Sequence, residues 1–163
     1  MPILKINNYL TLFKMNTTQE PKQQTFTLQG IYHIEPMSAA DAVANENALL
    51  VDIREAEELE VIHFDDTIEF LHMPMMTLVD RFEELPKDRP LIIVCNDGVR
   101  SVKAANLLNY QGYSNAVNLD GGIVQWFRDG LPLVLREDYM NDEDGCGGDS
   151  NDCGGCGCSC GGH

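Results

Sequence analysis

Short runs of aliphatic residues recur along the chain, and segments with helical spacing follow them. Runs without polar interruption are typical of strands that are buried on both faces of a sheet. The predicted strands are 31–34, 49–53, 91–95 and 116–119, and the predicted helices are 36–43, 55–60, 78–85, 101–109 and 123–128. Strands that alternate with helices pair in parallel through crossover connections, so this order predicts an α/β fold: a mostly parallel sheet with helices on both faces.

Two regions have weaker patterns. Residues 61–76 carry apolar clusters on both sides of Asp65 and Asp66, which predicts one or two short strands around a turn. Residues 25–31 alternate polar and apolar side chains, which favours an edge strand. The polar segment 16–24 before them predicts a disordered linker.

The length of 163 residues is enough for one domain with an appendage. We predict a partly disordered leader (1–30), a folded domain (31–136) and a flexible tail (137–163) that is acidic at first and then rich in Cys and Gly. The apolar residues of 1–14 fall near helical spacing, which leaves open a short packed helix or a frayed segment. Met15 is an alternative start.

The net charge of −15 is unevenly spread, because 137–163 holds seven acidic residues and no Lys or Arg. Such a surface repels phosphate backbones and anionic lipids, so nucleic acids and membranes are not expected partners. No apolar run approaches the roughly 20 residues of a membrane span. One cysteine lies in the body and five lie in the last 18 residues. This is not a disulfide framework, and it favours a reducing, cytoplasmic compartment. We expect a monomer.

Cys95 lies at the end of the predicted strand 91–95, and Ser101 is the N-cap or a first-turn residue of the next helix. This geometry directs backbone N–H groups and the positive end of a helix dipole at the sulfur, which favours the thiolate. The alternative is an inert cysteine at the end of a core strand. The polar residues after Cys95, the conformationally free Gly98 and the nearby Arg100 favour the reactive cysteine.

Three segments, in this order, resemble a single-domain rhodanese, a sulfurtransferase module. They are Leu-Val-Asp-Ile-Arg-Glu at 50–55, Cys-Asn-Asp-Gly-Val-Arg-Ser at 95–101, and Leu-Asp-Gly-Gly at 119–122 with Trp126, Gly130 and Pro132. The resemblance covers about 31–134. One departure is that the family's Gly-His-Ile-Pro-Gly-Ala segment is absent, and only Met73 and Pro74 are similar to its strand end. The pocket wall on that side therefore differs from the family's pattern.

The resemblance implies a rhodanese-like three-layer sandwich and a sulfurtransferase. Cys95 would accept a sulfane sulfur as a persulfide and pass it to a thiol or another nucleophile of a small or protein acceptor, with no cofactor required. Arg100 would supply positive charge or orient the loop, with a surface salt bridge as the alternative. The loop residues expected to cradle the sulfur are Asn96, Asp97, Gly98, Val99 and Ser101.

The spacing of the loop also bears on the substrate. Tyrosine-phosphatase-like enzymes space their arginine as Cys-x5-Arg, whereas Cys95 and Arg100 have the tighter Cys-x4-Arg spacing, so phosphatase activity is not expected. Asp97 in an acidic protein should attract the thiosulfate dianion weakly. We therefore predict that the physiological donor is a protein or small-molecule persulfide.

For the other residues of the domain that stand out, a structural role is expected. Asp52 and Arg54 follow one another closely at the end of a predicted strand, where an ion pair or hydrogen-bonded strut is expected. His63 and His72 lack motif support, so satisfied polar or surface positions are expected. Trp126 is expected to pack in the core.

The tail carries a thiol cluster with spacings that can chelate a soft or borderline metal such as Zn or Cu. The candidate ligands are Cys146, Cys153, Cys156, Cys158, Cys160 and His163. Two other interpretations stay open: a thiol arm that takes sulfur from Cys95, and an incidental unstructured tail. A second hypothesis for the whole chain is therefore a rhodanese-fold scaffold whose tail binds or delivers a soft metal ion.

Overall fold

The computed structural model describes residues 15–137. Its strands are β1 Thr17–Thr18, β2 His33–Ile34, β3 Leu49–Asp52, β4 Ile62–Phe64, β5 Phe70–His72, β6 Leu91–Val94, β7 Ala116–Leu119 and β8 Leu133–Leu135. Its helices are α1 Pro36–Asn45, α2 Ala56–Val61, α3 Met75–Arg81, α4 Val99–Tyr110 and α5 Gly122–Arg128, with a 3-10 turn at Phe82–Glu84 after α3.

The main sheet has six strands in the order β1-β2-β7-β6-β3-β5. All neighbouring strands are parallel except β1 and β2, which are antiparallel. The predicted α/β architecture with a mostly parallel sheet is therefore confirmed. In such a sheet, ligands bind at the carboxyl ends of the strands, and Cys95 follows the carboxyl end of the central strand β6.

Two cores cover the two faces of the sheet. Successive side chains of a strand point to opposite faces, so Leu91 and Ile93 pack with α3 and α4, and Ile92 and Val94 pack with α1 and α5. Cys95 lies in the first core, on the face that α4 covers. The sheet and the helices on each side make the three layers of the predicted sandwich, and Trp126 is fully buried in the second core as expected.

A second, two-stranded sheet pairs β4 with β8 in antiparallel register. With β5, strand β4 confirms the two short strands predicted within 61–76. Strand β8 was not predicted. It has three residues, and its partner lies far away in the sequence, so no local periodicity marks it. The edge-to-face contact between Phe64 of β4 and Trp126, with ring centroids 5.1 Å apart, holds this small sheet against the second core.

The N-terminal segment differs from the prediction. Residues 16–24 are not a disordered linker, because β1 pairs with β2 and the backbone N–H groups of Lys22 and Gln23 donate to the buried carboxylate of Asp120. The predicted edge strand at 25–31 is also wrong, since these residues form no strand. The hydrogen bonds that order this segment reach far along the chain, and no local pattern encodes them. We call residues 22–28 the N-terminal strap. Residues 1–14 and 138–163 lie outside the described part of the chain, and the predictions for them stay predictions.

Candidate active site

The loop after β6 turns sharply into α4. Its N-cap is Gly98, which has φ +88°, and α4 begins at Val99, before the predicted start at Ser101. A side chain at Gly98 would be strained at this φ and would collide with the side-chain amide of Gln24. The positive φ therefore favours glycine at this position, and any larger residue would also have to displace the Gln24 amide.

The sulfur of Cys95 is held inside this turn, and the residue is fully buried. It accepts hydrogen bonds from the backbone N–H of Gly98 at 3.1 Å and of Ser101 at 3.4 Å. The Ser101 hydroxyl oxygen lies 3.2 Å from the sulfur, and Oδ1 of Asp97 lies 3.7 Å away. Two N–H donors, one from the N-cap and one from the first turn of a 12-residue helix, converge on one atom, which stabilises negative charge there.

The first turn of α5 holds the loop from the other side. The backbone N–H of Ile123 donates to the Cys95 carbonyl at 2.9 Å, and that of Val124 donates to the Asn96 carbonyl at 3.1 Å. Gly122 lets this close approach happen, because a Cβ there would collide with those carbonyl groups. Gly122 of the Leu-Asp-Gly-Gly segment thus allows α5 to hold the backbone at Cys95 and Asn96.

Arg100 makes a bidentate ion pair with Glu58 of α2, with distances of 3.0 Å from Nη1 to Oε2 and 2.6 Å from Nη2 to Oε1. The Asn96 side-chain amide also donates to Glu58. The hydrogen bond from Arg100 is the main reason that the pKa of Glu58 falls to about 2, and the same pair raises the pKa of Arg100. Arg100 therefore makes the salt bridge that the sequence left as the alternative, and it ties the loop to α2.

Asp52 and Arg54 form a fully buried ion pair, with 2.7 Å between Nη2 and Oδ2. Arg54 also donates to the carbonyl of Ile62 at 3.0 Å and to Oδ1 of Asn96 at 3.4 Å. This pair has the strut geometry expected from the sequence. It connects the end of β3, the start of β4 and the loop at 95–101, which we call the active loop. His72 adds a contact of 2.8 Å between its Nε2 and the Arg54 carbonyl.

Residues that no sequence motif marks hold the back of the loop. Gln24 of the N-terminal strap contacts Gly98, Asn118 and Gly121. Asn118 is fully buried on β7 and contacts Ser101 and His33. Burial lowers the pKa of His33, and the negative charge of Asp120 partly opposes this shift.

The structure thus brings together all seven residues of the predicted loop and the Asp52–Arg54 pair. It adds Glu58, Gln24, Asn118 and His33 around them. Glu58 had one local signal, since it forms a capping box with Glu55 at the start of α2, but such a box indicates a helix end and not a site. The side chain of Gln24 lies in a segment predicted to be disordered, so no signal marked it.

The six candidate metal ligands of the tail, from Cys146 to His163, lie outside the described residues. Within residues 15–137, no group of three or more His, Cys, Asp or Glu side chains is arranged to hold a metal ion. In the same part of the chain, no helix has the length and apolar character needed to cross a membrane.

Comparison with known proteins places the chain in a family. The family described as "Rhodanese-like domain" matches residues 35–129, more than half of the chain. A sulfurtransferase of Allochromatium vinosum is 40% identical over 108 residues, which cover 66% of this chain and 98% of that protein. The thiosulfate sulfurtransferase GlpE of Pseudomonas syringae is 34% identical over 91 residues, 56% of this chain and 83% of its own length.

Solved structures agree with this fold. A rhodanese-related protein from Thermoplasma volcanium superposes with a TM-score of 0.56 at 26% identity and covers 64% of this chain and 98% of its own. The polysulfide-sulfur transferase homodimer of Wolinella succinogenes has a TM-score of 0.58, covering 68% of this chain and 82% of its own. At 23% identity, that likeness concerns the fold alone. The sulfurtransferase relatives support a sulfurtransferase role, and the chain belongs to the family of rhodanese-like domains.

Proposed function

We propose that this protein is a sulfurtransferase that carries sulfane sulfur as a persulfide on Cys95 and transfers it to a thiol acceptor. The observation that carries the proposal is the convergence of the Gly98 and Ser101 N–H groups on the Cys95 sulfur, at 3.1 and 3.4 Å. Donors in these positions stabilise a thiolate, and a persulfide anion needs the same kind of stabilisation. The match to sulfurtransferase relatives supports the same reaction class.

The reaction proceeds in two displacements. The Cys95 thiolate attacks the sulfane sulfur of the donor, a bond forms between the two sulfurs, and the donor leaves with the electron pair of its broken S–S bond. An acceptor thiolate then attacks the terminal sulfur of the Cys95 persulfide and releases the Cys95 thiolate. The sulfane sulfur moves from one thiol carrier to another, so neither an external oxidant nor a cofactor is needed.

The charges around the loop favour a persulfide donor over thiosulfate. Asp97 lies beside the sulfur, and the positive charge of Arg100 is balanced by Glu58. A dianion therefore meets a loop whose own arginine is already paired, in a protein of net charge −15. A KM for thiosulfate far below that for glutathione persulfide would contradict this preference, although some relatives are named for thiosulfate.

The carrier role of Cys95 can be tested by mass spectrometry. We expect that exposure to glutathione persulfide adds the mass of one sulfur, about 32 Da, to the peptide that contains Cys95. Peptide mapping separates Cys95 from the tail cysteines. The variant Cys95→Ser should lose transfer to an acceptor thiol. If that variant transfers sulfur at the rate of the unchanged protein, Cys95 is not the carrier.

A further inference from the structure

The hydrogen bonds behind the active loop have a single consistent arrangement of protons, and it begins at Gln24. Its side-chain nitrogen lies 2.7 Å from the carbonyl of Phe26 and 3.1 Å from that of Gly98. Two carbonyl acceptors require the NH₂ group at this position. Its side-chain oxygen lies 3.0 Å from the backbone N–H of Gly121, a donor, so the orientation of the Gln24 amide is fixed at both ends.

The orientation of Gln24 fixes that of Asn118. The Gln24 oxygen lies 3.1 Å from the side-chain amide of Asn118, which must present its NH₂ group there. The second hydrogen of that group points at Nδ1 of His33, 2.9 Å away. His33 then carries its proton on Nε2 and donates to Thr27, at 2.7 Å, which is consistent with a buried neutral imidazole.

The orientation of Asn118 determines the direction of the Ser101 proton. With both hydrogens of its NH₂ group engaged, Asn118 presents its oxygen to the Ser101 hydroxyl, which donates to it. A hydroxyl has one hydrogen, so Ser101 has none left for Cys95. The Ser101 oxygen lies 3.2 Å from the Cys95 sulfur and offers it only lone pairs.

We propose that Gln24 is a positioning residue which, through Asn118, makes the Ser101 hydroxyl an acceptor towards Cys95 and so stabilises the protonated thiol in the resting protein. Gln24 lies in the N-terminal strap, outside the segment 35–129 that matches the family. The side-chain oxygens near the sulfur thus favour the thiol, and the backbone N–H groups favour the thiolate. The strap shifts this balance towards the thiol, which lowers the nucleophilicity of the unloaded protein.

The charged groups that face the sulfur do not reverse this assignment. Asp97 belongs to the loop, and its Oδ1 is a second acceptor for the thiol proton. Arg100 on α4 carries a positive charge that favours the thiolate, but Glu58 on α2 pairs with it. His33 on β2, which contacts Cys95 only through Asn118 and Ser101, is neutral in the arrangement above.

The direction in which one substitution moves the pH midpoint of Cys95 alkylation tests the proposal. The alkylation rate of Cys95 by iodoacetamide, followed on its peptide by mass spectrometry across pH, has a midpoint at the pKa of the thiol. In Ser101→Ala the thiol loses an acceptor, so the midpoint should fall by about 0.5 pH unit. If Ser101 instead donates to the thiolate, the midpoint rises. An unchanged or raised midpoint would overturn the proposal. The assay uses no sulfur donor, so its outcome is independent of the proposed transferase function.

A double-variant experiment tests the role of Gln24. In Gln24→Leu the Asn118 NH₂ group keeps only His33 as a partner, and the amide can rotate when His33 moves its proton to Nδ1. The Ser101 proton can then turn to the sulfur, and the midpoint should again fall. In the Ser101→Ala background, Gln24→Leu should have no further effect. Equal shifts in both backgrounds would show that Gln24 acts by another route. Gln23→Ala is the matched control in the strap, since Gln23 contacts Asp120 through its backbone N–H, and its midpoint should equal that of the unchanged protein.

Discussion

The guanidinium of Arg100 faces the carboxylate of Glu58, with 2.6 Å between Nη2 and Oε1. This pair joins the active loop to α2, and the Asn96 amide donates to the same carboxylate. The arginine of the loop itself is therefore engaged by an acid from a different element. We expect both the choice of sulfur donor and the acid stability of the protein to depend on this contact.

Glu58→Gln should improve the use of thiosulfate. The substitution removes one negative charge beside the loop and leaves the charge of Arg100 without an anionic partner, so an incoming dianion is attracted more strongly. We expect kcat/KM for thiosulfate to rise several-fold at low ionic strength, and the gain to shrink at high salt. Glu57→Gln on the same helix is the matched control, because it removes an equal charge from a residue outside the ion pair. An equal gain in both variants would refute a specific role for Glu58.

The Glu58 carboxylate should also shape stability in acid. Its pKa in the folded protein is about 2, below the usual 4.5, so ionised Glu58 stabilises the fold above pH 4.5. That contribution is lost as the pH falls from about 4.5 towards 2. Chemical denaturation across this window should show a smaller loss of stability in Glu58→Gln than in the unchanged protein. If the free energy of unfolding falls equally with pH in both proteins, the ion pair of Glu58 and Arg100 does not contribute to acid stability.

The buried pair of Asp52 and Arg54 should be sensitive to the removal of one partner. Arg54→Met leaves the carboxylate of Asp52 buried without its counter-ion, which typically costs about 3–5 kcal/mol. The double variant Asp52→Asn with Arg54→Met removes both charges and should be more stable than Arg54→Met alone. Urea unfolding measures the free energy of unfolding of both variants. A double variant that is less stable than the single one would contradict the account of an uncompensated charge.

Gly98 and Gly112 offer a matched test of the contact between the loop and the strap. Their φ values are +88° and +89°, but a Cβ at Gly98 would collide with Gln24, whereas nothing lies within 4 Å of one at Gly112. Gly112→Ala should therefore cost only backbone strain, about 1–2 kcal/mol. Gly98→Ala should cost more, and the excess should shrink in a Gln24→Ala background. Equal costs for the two glycine variants would show that the strap does not restrain the loop.

The tail prediction needs a measurement of metal content. We expect the full chain to bind Zn or Cu through the thiols between Cys146 and Cys160, and a chain ending at Glu137 to bind none. Elemental analysis after dialysis checks both proteins, with Cys95→Ser in the full chain as the control for the loop thiol. A full chain without metal would retire the scaffold hypothesis and leave the sulfur-relay and incidental interpretations of the tail.

The sequence by itself determined the order of the central strands and helices and the position of Cys95 at the end of β6. The runs 49–53, 91–95 and 116–119 are short, uninterrupted and followed by helical spacing, and such patterns depend only on near neighbours. The loop from Cys95 to Ser101 and the Gly-Gly pair at 121–122 are likewise local, since both are set by backbone conformations that few residue types allow. The ion pair of Asp52 and Arg54 was predictable because a single residue, Ile53, lies between its partners in the sequence.

The tertiary structure alone decided how that loop is held. Glu58 contacts Arg100 and Asn96 because α2 packs beside the loop, and Gln24 reaches Gly98 and Asn118 although more than seventy residues lie between them. A polar segment whose hydrogen bonds go to distant buried groups has the composition of a linker, and so the strap could not be distinguished from one in the sequence. The direction of the Ser101 proton depends on this same network, because a hydroxyl hydrogen is placed by its partners and not by the residue that carries it.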